Sequence, residues 1–151
     1  MLKENEKAPD FELKNQKGET IVLKNLKGKN IVLYFYPKDL TPGCTVEACN
    51  FNENLPLLKK KNTVVLGVSF DSEDLHKKFI AKHDLGFDLL VDADKEVAKK
   101  FGVYQMKKFM GKEFMGIVRS TFVIGPDGKI KKVFSPVKVE GHVKEVIDAL
   151  G

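Results

Sequence analysis

Apolar runs and amphipathic segments alternate along most of the chain. The apolar runs are rich in β-branched and aromatic residues, which is typical of strands buried on both faces of a sheet. They cover residues 29–37, 63–70 and 87–92. The segments that follow them have the spacing of amphipathic helices. These helices are predicted to start near Pro42, at Ser72, at Ala93 and, for the last one, near Glu140.

Two further segments predict β-hairpins. Residues 10–23 alternate on both sides of Lys17-Gly18, and residues 117–135 flank the turn 125–128. Residues 103–116, rich in Met, Lys and Gly, have no period that assigns them to an element. The order predicts an α/β, thioredoxin-like fold in which helices flank a mixed central sheet, with the N-terminal β-hairpin as an extension. The length of 151 residues predicts one domain, residues 1–151.

Composition narrows the function classes. A hydrophobic content of 42% and a charged content of 31% are typical of a globular protein. The N-terminus has no apolar signal region and the longest apolar runs are too short to cross a bilayer, so we expect a cytoplasmic protein with no membrane partner. The net charge of +5 comes from lysines spread along the chain, which predicts no nucleic-acid partner. Of the 26 basic residues only Arg119 is an arginine.

The two cysteines of the chain, Cys44 and Cys49, lie in the predicted helix that begins near Pro42. Thr41 is suited to the N-cap and Pro42 to the first helical position, so Cys44 falls in the first turn. Free backbone N–H groups and the helix dipole favour a thiolate there, which is the nucleophilic form of cysteine. The alternative is that Cys44 is only a small apolar core residue.

The spacing of five residues restricts how the two cysteines can interact. In an intact helix they are about 7.5 Å apart along the axis and roughly 140° apart around it. Their Cα atoms would then be about 8–9 Å apart, beyond the ~7 Å limit of an unstrained disulfide. A disulfide would therefore require local unwinding, which three nearby asparagines (50, 52 and 54) and Pro56 would favour. We expect no metal or other cofactor, because two thiolates lack two further ligands and the three histidines lack paired spacing.

Residues 36–49, YPKDLTPGCTVEAC, resemble the active-site segment of the peroxiredoxins. The family's Pro-x-x-x-Thr-x-x-Cys pattern falls on Pro37, Thr41 and Cys44. A second cysteine five residues later is similar to the peroxiredoxin Q group, also called bacterioferritin comigratory protein. Residues 107–130 resemble a later part of that group and carry its active-site arginine at position 119. The sequence departs from the group at Leu40, where Asn is common, and at residues 104–105, Tyr-Gln in place of Trp-Gly.

This resemblance implies a thiol-dependent peroxidase that reduces hydrogen peroxide and organic hydroperoxides. Cys44 would be the peroxidatic cysteine that becomes a sulfenic acid, and Cys49 the resolving cysteine that closes an intramolecular disulfide. Arg119 would stabilise the thiolate and hold the peroxide, while the Thr41 hydroxyl would contact the peroxide or cap the helix.

The resemblance also implies supporting roles for residues around Cys44. Backbone N–H groups at Gly43 and Cys44 would face the developing negative charge, and Pro37 would shape the loop and shield the sulfur from water. Glu47 would support the site, or would only be a favourable acid near a helix start. Tyr36 and the apolar side chains of residues 109–116 would line the pocket or belong to the core.

The resemblance also implies partners. A thioredoxin or glutaredoxin-like reductant would restore the dithiol, and the intramolecular disulfide favours a monomer. A redox sensor or holdase would use the same cysteines without efficient turnover. A glutathione-peroxidase-like enzyme would use an active-site tryptophan, and the chain has no tryptophan.

Overall fold

A seven-stranded mixed sheet forms the centre of the fold in the computed structural model, which describes residues 1–151. The strands are β1 (Glu12–Lys14), β2 (Thr20–Val22), β3 (Asn30–Phe35), β4 (Thr63–Ser69), β5 (Asp88–Val91), β6 (Tyr104–Phe109), β7 (Lys112–Ile117), β8 (Ser120–Ile124) and β9 (Ile130–Phe134). The helices are α1 (Pro42–Glu53), α2 (Leu55–Lys60), α3 (Glu73–His83), α4 (Glu96–Phe101) and α5 (His142–Leu150), with a 3₁₀ turn at Leu23–Leu26.

The strand order of the main sheet is β2-β1-β5-β4-β3-β8-β9. Strand β3 lies between its parallel neighbour β4 and its antiparallel neighbour β8. Every residue of β3 after Asn30 is buried, as predicted for a strand covered on both faces. The N-terminal hairpin β1–β2 joins the sheet edge through β5, so the predicted mixed sheet with its hairpin extension is confirmed.

Alternate residues of β3 supply two separate cores. Ile31, Leu33 and Phe35 pack with α4 and the N-terminal segment on one face. Val32 and Tyr34, followed by Tyr36, pack on the other face with side chains from α1, α2, α3 and α5. The active-site loop continues directly from β3, so its first residues are held by the most buried strand of the sheet.

The helix boundaries follow local signals closely. Ser72 accepts a hydrogen bond from the Leu75 backbone N–H, as expected of the N-cap of α3. Gly102 ends α4 in the left-handed conformation, as predicted, but the helix begins at Glu96 and not at Ala93, because residues 93–94 form a turn. Pro56 lies at the start of α2, which is separated from α1 by Asn54.

The C-terminal half differs from the sequence prediction in two places. Residues 103–116, which had no assignable period, form most of the separate two-stranded hairpin β6–β7. The predicted strand beginning at residue 117 is wrong at its start, because Ile117 ends β7 and β8 begins only at Ser120. Arg119 therefore lies in the short connection between two hairpins. No helix of the chain is both long enough and apolar enough to span a membrane.

Candidate active site

Cys44 lies in the first turn of α1, which follows the loop from β3. Thr41 is in the extended N-cap conformation and Pro42 is the first helical residue, so this helix start is confirmed. Cys44 is only 2% exposed and packs in the core on the α1 side of the sheet. The sulfur is therefore both at a helix N-terminus and largely excluded from solvent, a burial that the sequence pattern alone did not predict.

The Thr41 side chain does not cap the helix. Its hydroxyl donates to the backbone carbonyl oxygen of Lys38 at 2.7 Å, and no backbone N–H of α1 donates to it. The hydroxyl proton is thus used within the loop, and the oxygen lone pairs are left for a donor outside it. The plain N-cap interpretation of this side chain is wrong.

Arg119 reaches Cys44 from the connection between β7 and β8, beside the end of β3. Its Nη2 donates to Cys44 Sγ at 3.3 Å, and its Nη1 donates to Glu47 Oε1 at 2.7 Å. The backbone on both sides is tied down, since Val118 N–H donates to Val103 O and Val137 N–H donates to Arg119 O, each at 2.9 Å. The planar guanidinium therefore has one nitrogen directed at the sulfur and another at a carboxylate.

Glu47 is a buried side chain, not a surface acid near a helix start. Its side chain is fully shielded from solvent, and its Oε2 has no hydrogen-bond partner in the protein. Burial raises the pKa of Glu47 to about 7, although the Arg119 charge and its hydrogen bond act in the opposite direction. Burial by itself would lower the pKa of Arg119. The neighbouring Glu47 and Cys44 outweigh this effect and raise the pKa of Arg119, and the guanidinium stays charged.

The guanidinium of Arg119 approaches the backbone of Gly43 closely. A Cβ atom at this position would lie 3.2 Å from Arg119 Nη2, which is closer than ordinary van der Waals contact. Pro37 lies in the same loop but is exposed, and the proposed shielding of the sulfur by this residue stays a prediction. Cys44 belongs to the same buried cluster as Ala48 and Phe51.

Cys49 is half-buried on the continuation of α1, and both cysteines are free thiols. The helix runs unbroken from Pro42 to Glu53 in this dithiol state, and its unwinding on disulfide formation stays a prediction. Asn52 holds the end of the helix: its amide donates to Asp84 O at 3.0 Å and its Oδ1 accepts the Gly86 N–H at 2.8 Å. This asparagine anchors the last turn of α1 to the loop after α3.

The apolar side chains of residues 109–116 are exposed, so the interpretation that assigned them to the core is wrong. Phe109 is 67% exposed and Met110 is 87% exposed, while Phe114 and Met115 are also exposed. Tyr36, in contrast, is fully buried. The hairpin forms a sheet of its own, and it packs on the main core through Tyr104 and Ile117 at the end away from its turn.

Lys107 is a second cation near the sulfur that the sequence did not single out. Its Nζ donates to Ile117 O at 2.8 Å, two residues before Arg119. Burial lowers the pKa of Lys107, the Arg119 charge adds to this effect, and Cys44 opposes it. Nothing in the sequence could have separated it from the other lysines, because its position depends on the β6–β7 pairing.

Together these groups surround Cys44 Sγ with a helix N-terminus and a guanidinium in a largely dry setting. Such groups stabilise a thiolate and an oxygen that gains negative charge during attack. No group of three or more His, Cys, Asp or Glu side chains is arranged to hold a metal ion.

Comparison with known proteins agrees with this geometry. The sequence model of the AhpC/TSA family matches residues 5–133. Peroxiredoxin Bcp of Bacillus subtilis (strain 168) is 51% identical over 145 residues, which cover 96% of this chain and 92% of the relative.

Solved structures extend the comparison to the fold. The bacterioferritin comigratory protein of Xanthomonas campestris, studied for its alkyl peroxide reduction activity, superposes with a TM-score of 0.89 at 40% identity, covering 93% of this chain and 89% of that one. A cysteine-to-serine mutant of the peroxiredoxin Q of Xylella fastidiosa has a TM-score of 0.94 at 36% identity, with 99% and 96% covered. The predicted thioredoxin-like fold is confirmed, and the chain belongs to the AhpC/TSA family, within the peroxiredoxin Q or bacterioferritin comigratory protein group of thiol peroxidases.

Proposed function

We propose that Cys44 is the peroxidatic cysteine of this thiol peroxidase. The observation that supports the assignment best is the 3.3 Å contact between Arg119 Nη2 and Cys44 Sγ, made at a helix N-terminus. Cys49 lacks both features, because it lies in the middle of α1 and contacts no cation. This difference between the two cysteines supports Cys44 as the residue that attacks the peroxide.

In the first step the Cys44 thiolate attacks one oxygen of a hydroperoxide. A sulfur–oxygen bond forms and the oxygen–oxygen bond breaks, and the departing oxygen takes up the peroxide proton and leaves as water or an alcohol. The sulfenate that remains on Cys44 becomes a sulfenic acid when it takes up a proton from solvent. Arg119 and the backbone N–H groups of Gly43 and Cys44 stabilise the negative charge on the departing oxygen. The free lone pairs of Thr41 Oγ1 accept the hydrogen bond of the incoming peroxide.

Glu47 supports this step by holding Arg119 in place. The Nη1 contact of 2.7 Å leaves Nη2 directed at the sulfur, so one carboxylate orients the guanidinium for its other partner. Pro37, at the start of the loop, limits the conformations of the chain between β3 and Thr41.

In the second step Cys49 attacks the Cys44 sulfenic acid, and the disulfide forms as one water leaves. The sulfurs meet only after α1 unwinds between them, because intact helix geometry holds the Cα atoms about 8–9 Å apart. A cytoplasmic thioredoxin, or a glutaredoxin-like dithiol protein, then reduces the disulfide by thiol–disulfide exchange. No step needs a second subunit, and we propose that the protein acts as a monomer.

Peroxide consumption in the presence of a thioredoxin system tests the assignment. Cys44→Ser is expected to abolish turnover, while Cys49→Ser still consumes about one equivalent of peroxide per chain. Peptide mapping without reductant should find the Cys44–Cys49 disulfide within one chain. Full turnover by Cys44→Ser would overturn the proposal, and oxidised protein that contained only bridges between chains would overturn the resolving step. A sensor or holdase would give the same disulfide with no sustained turnover.

A further inference from the structure

A chain of buried polar groups lies beneath the active-site loop and takes no direct part in the mechanism above. Tyr36, Asp39 and His76 are 1%, 4% and 0% exposed. The Tyr36 hydroxyl donates to Asp39 Oδ1 at 2.5 Å, and His76 Nδ1 lies 2.6 Å from Asp39 Oδ2. His76 Nε2 lies 2.8 Å from the carbonyl oxygen of Leu90 in β5.

The partners of His76 determine where the hydrogens lie. A carbonyl oxygen only accepts, so Nε2 must carry a hydrogen. A second hydrogen then lies between Nδ1 and Oδ2, either as an imidazolium paired with a carboxylate or as a neutral imidazole paired with a carboxylic acid. In both arrangements His76 supplies the partner that Asp39 needs, since a buried carboxyl group without one is strongly disfavoured.

The main chain of Asp39 is anchored as well. Its N–H donates to Asp71 Oδ2 at 2.7 Å, and the same oxygen accepts from Ser69 Oγ at 2.7 Å. Asp39 is thus tied to the end of β4, to α3 and, through His76, to β5.

The residue that follows explains why the loop needs such an anchor. Leu40 has φ of 64°, in the left-handed region that a branched apolar side chain rarely adopts. Leu40 is 38% exposed, so packing of its side chain holds the conformation only in part. A strained backbone persists only where its surroundings over-determine it. Thr41, directly after Leu40, carries the hydroxyl assigned to the peroxide.

We propose that the Asp39–His76 pair is a positioning device that holds Leu40 in its left-handed conformation and thereby sets Thr41 for the attack on peroxide. The inference rests on the proposed roles of Cys44 and Thr41. His76 touches neither substrate nor sulfur and acts only through Asp39 and the loop.

The rate of Cys44 oxidation and the rate of disulfide formation together distinguish this positioning role from a general effect on folding. The proposal predicts a slower oxidation of Cys44 and an unchanged rate of disulfide formation, because the second step does not use Thr41. The chain has no tryptophan, so both rates are best followed by rapid acid quench, thiol alkylation and mass spectrometry. Oxidation is measured in the Cys49→Ser background, and disulfide formation in chains that keep Cys49.

The variants are His76→Phe, Asp39→Ala and the isosteric Asp39→Asn. The first two should slow Cys44 oxidation by hydrogen peroxide about tenfold or more, because small misplacements of reacting groups have effects of this size. Asp39→Asn, whose amide can still bond to Tyr36 and His76, should stay within about threefold of wild type. Adding Leu40→Gly to Asp39→Ala should restore part of the rate, since glycine adopts this conformation without strain.

Each outcome decides the question. If Asp39→Ala, normalised to its folded fraction, oxidises at the wild-type rate, or if both steps slow equally, the inference is overturned. A rescue by Leu40→Gly supports it even where His76→Phe does not fold. Wild-type protein that is oxidised at a residue other than Cys44 would instead overturn the proposed function, which peptide mapping of the same samples detects.

Discussion

Ionisation of the buried Glu47 carboxyl group should lower the stability of the folded protein, and the substitution Glu47→Gln tests this. The substitution keeps the size of the side chain and an oxygen that can accept from Arg119, but removes the titration. Burial raises the pKa of Glu47 from its ordinary 4.5 to about 7. The folded protein therefore binds this proton more tightly than the unfolded chain does.

This difference in pKa between the folded and unfolded states determines how the stability of the protein changes with pH. Below pH 4.5 both states hold the proton and the buried carboxyl group costs nothing extra, whereas above about pH 7 the folded state must keep an ionised carboxylate in a dry site. Stability is lost between these limits as pH rises. A difference of about 2.5 pKa units corresponds to about 3 kcal/mol, since each unit is worth about 1.4 kcal/mol.

The assay is urea unfolding of the reduced protein, followed by far-ultraviolet circular dichroism between pH 4 and pH 8. The free energy of unfolding of Glu47→Gln, minus that of wild type, should increase by about 3 kcal/mol across the range. Glu53→Gln is the matched control, because Glu53 is an exposed acid on the same helix and should give a constant difference. If the Glu47→Gln difference is constant to within about 0.5 kcal/mol, the buried carboxyl group is not titrating as described.

Three further substitutions test the geometry of the site and of α1. Arg119→Lys keeps the positive charge but loses the planar guanidinium that donates to the Cys44 sulfur and to the Glu47 carboxylate at once. The rate of Cys44 oxidation should therefore fall about 10- to 100-fold in a rapid-quench measurement. An unchanged rate would show that the charge alone suffices. Gly43→Ala places a methyl group 3.2 Å from Arg119 Nη2 and should slow Cys44 oxidation several-fold with little change in the free energy of unfolding. A substitution that acted only on the fold would instead lower the free energy of unfolding. Asn52→Ala removes two hydrogen bonds, each worth about 1 kcal/mol, that hold the end of α1, and should speed disulfide formation about fivefold or more. Asn50→Ala is its control, because no side-chain hydrogen bond is formed there, and equal effects of the two substitutions would argue against the anchor.

Local signals in the sequence were sufficient to predict most strands of the main sheet and the start of α1. The β-branched runs predicted β3 and β4, and the Thr-Pro-Gly-Cys segment predicted a helix with Cys44 in its first turn. Such patterns succeed because strand and helix periodicity and helix caps depend on neighbours within a few residues. The β6–β7 hairpin escaped prediction because its exposed apolar residues follow no burial pattern.

The active site itself depended on contacts that no local pattern reports. Arg119 was marked by its rarity and by resemblance, but its contact with Cys44 joins residues 75 positions apart through the pairing of β3 with β8. The burial of Glu47 and the Asn52 anchor likewise depend on which elements pack against α1.

By itself, the sequence determined an α/β chain with one cysteine at a helix start and another five residues along. It also determined that the two sulfurs cannot bond while the helix is intact, because helix geometry is the same in every fold. Only the tertiary structure decided that Cys44 is buried beside a guanidinium, that Glu47 titrates near neutrality and that Asp39 is held by His76. Those properties come from desolvation and from distances between remote segments, which exist only once the sheet has brought the segments together.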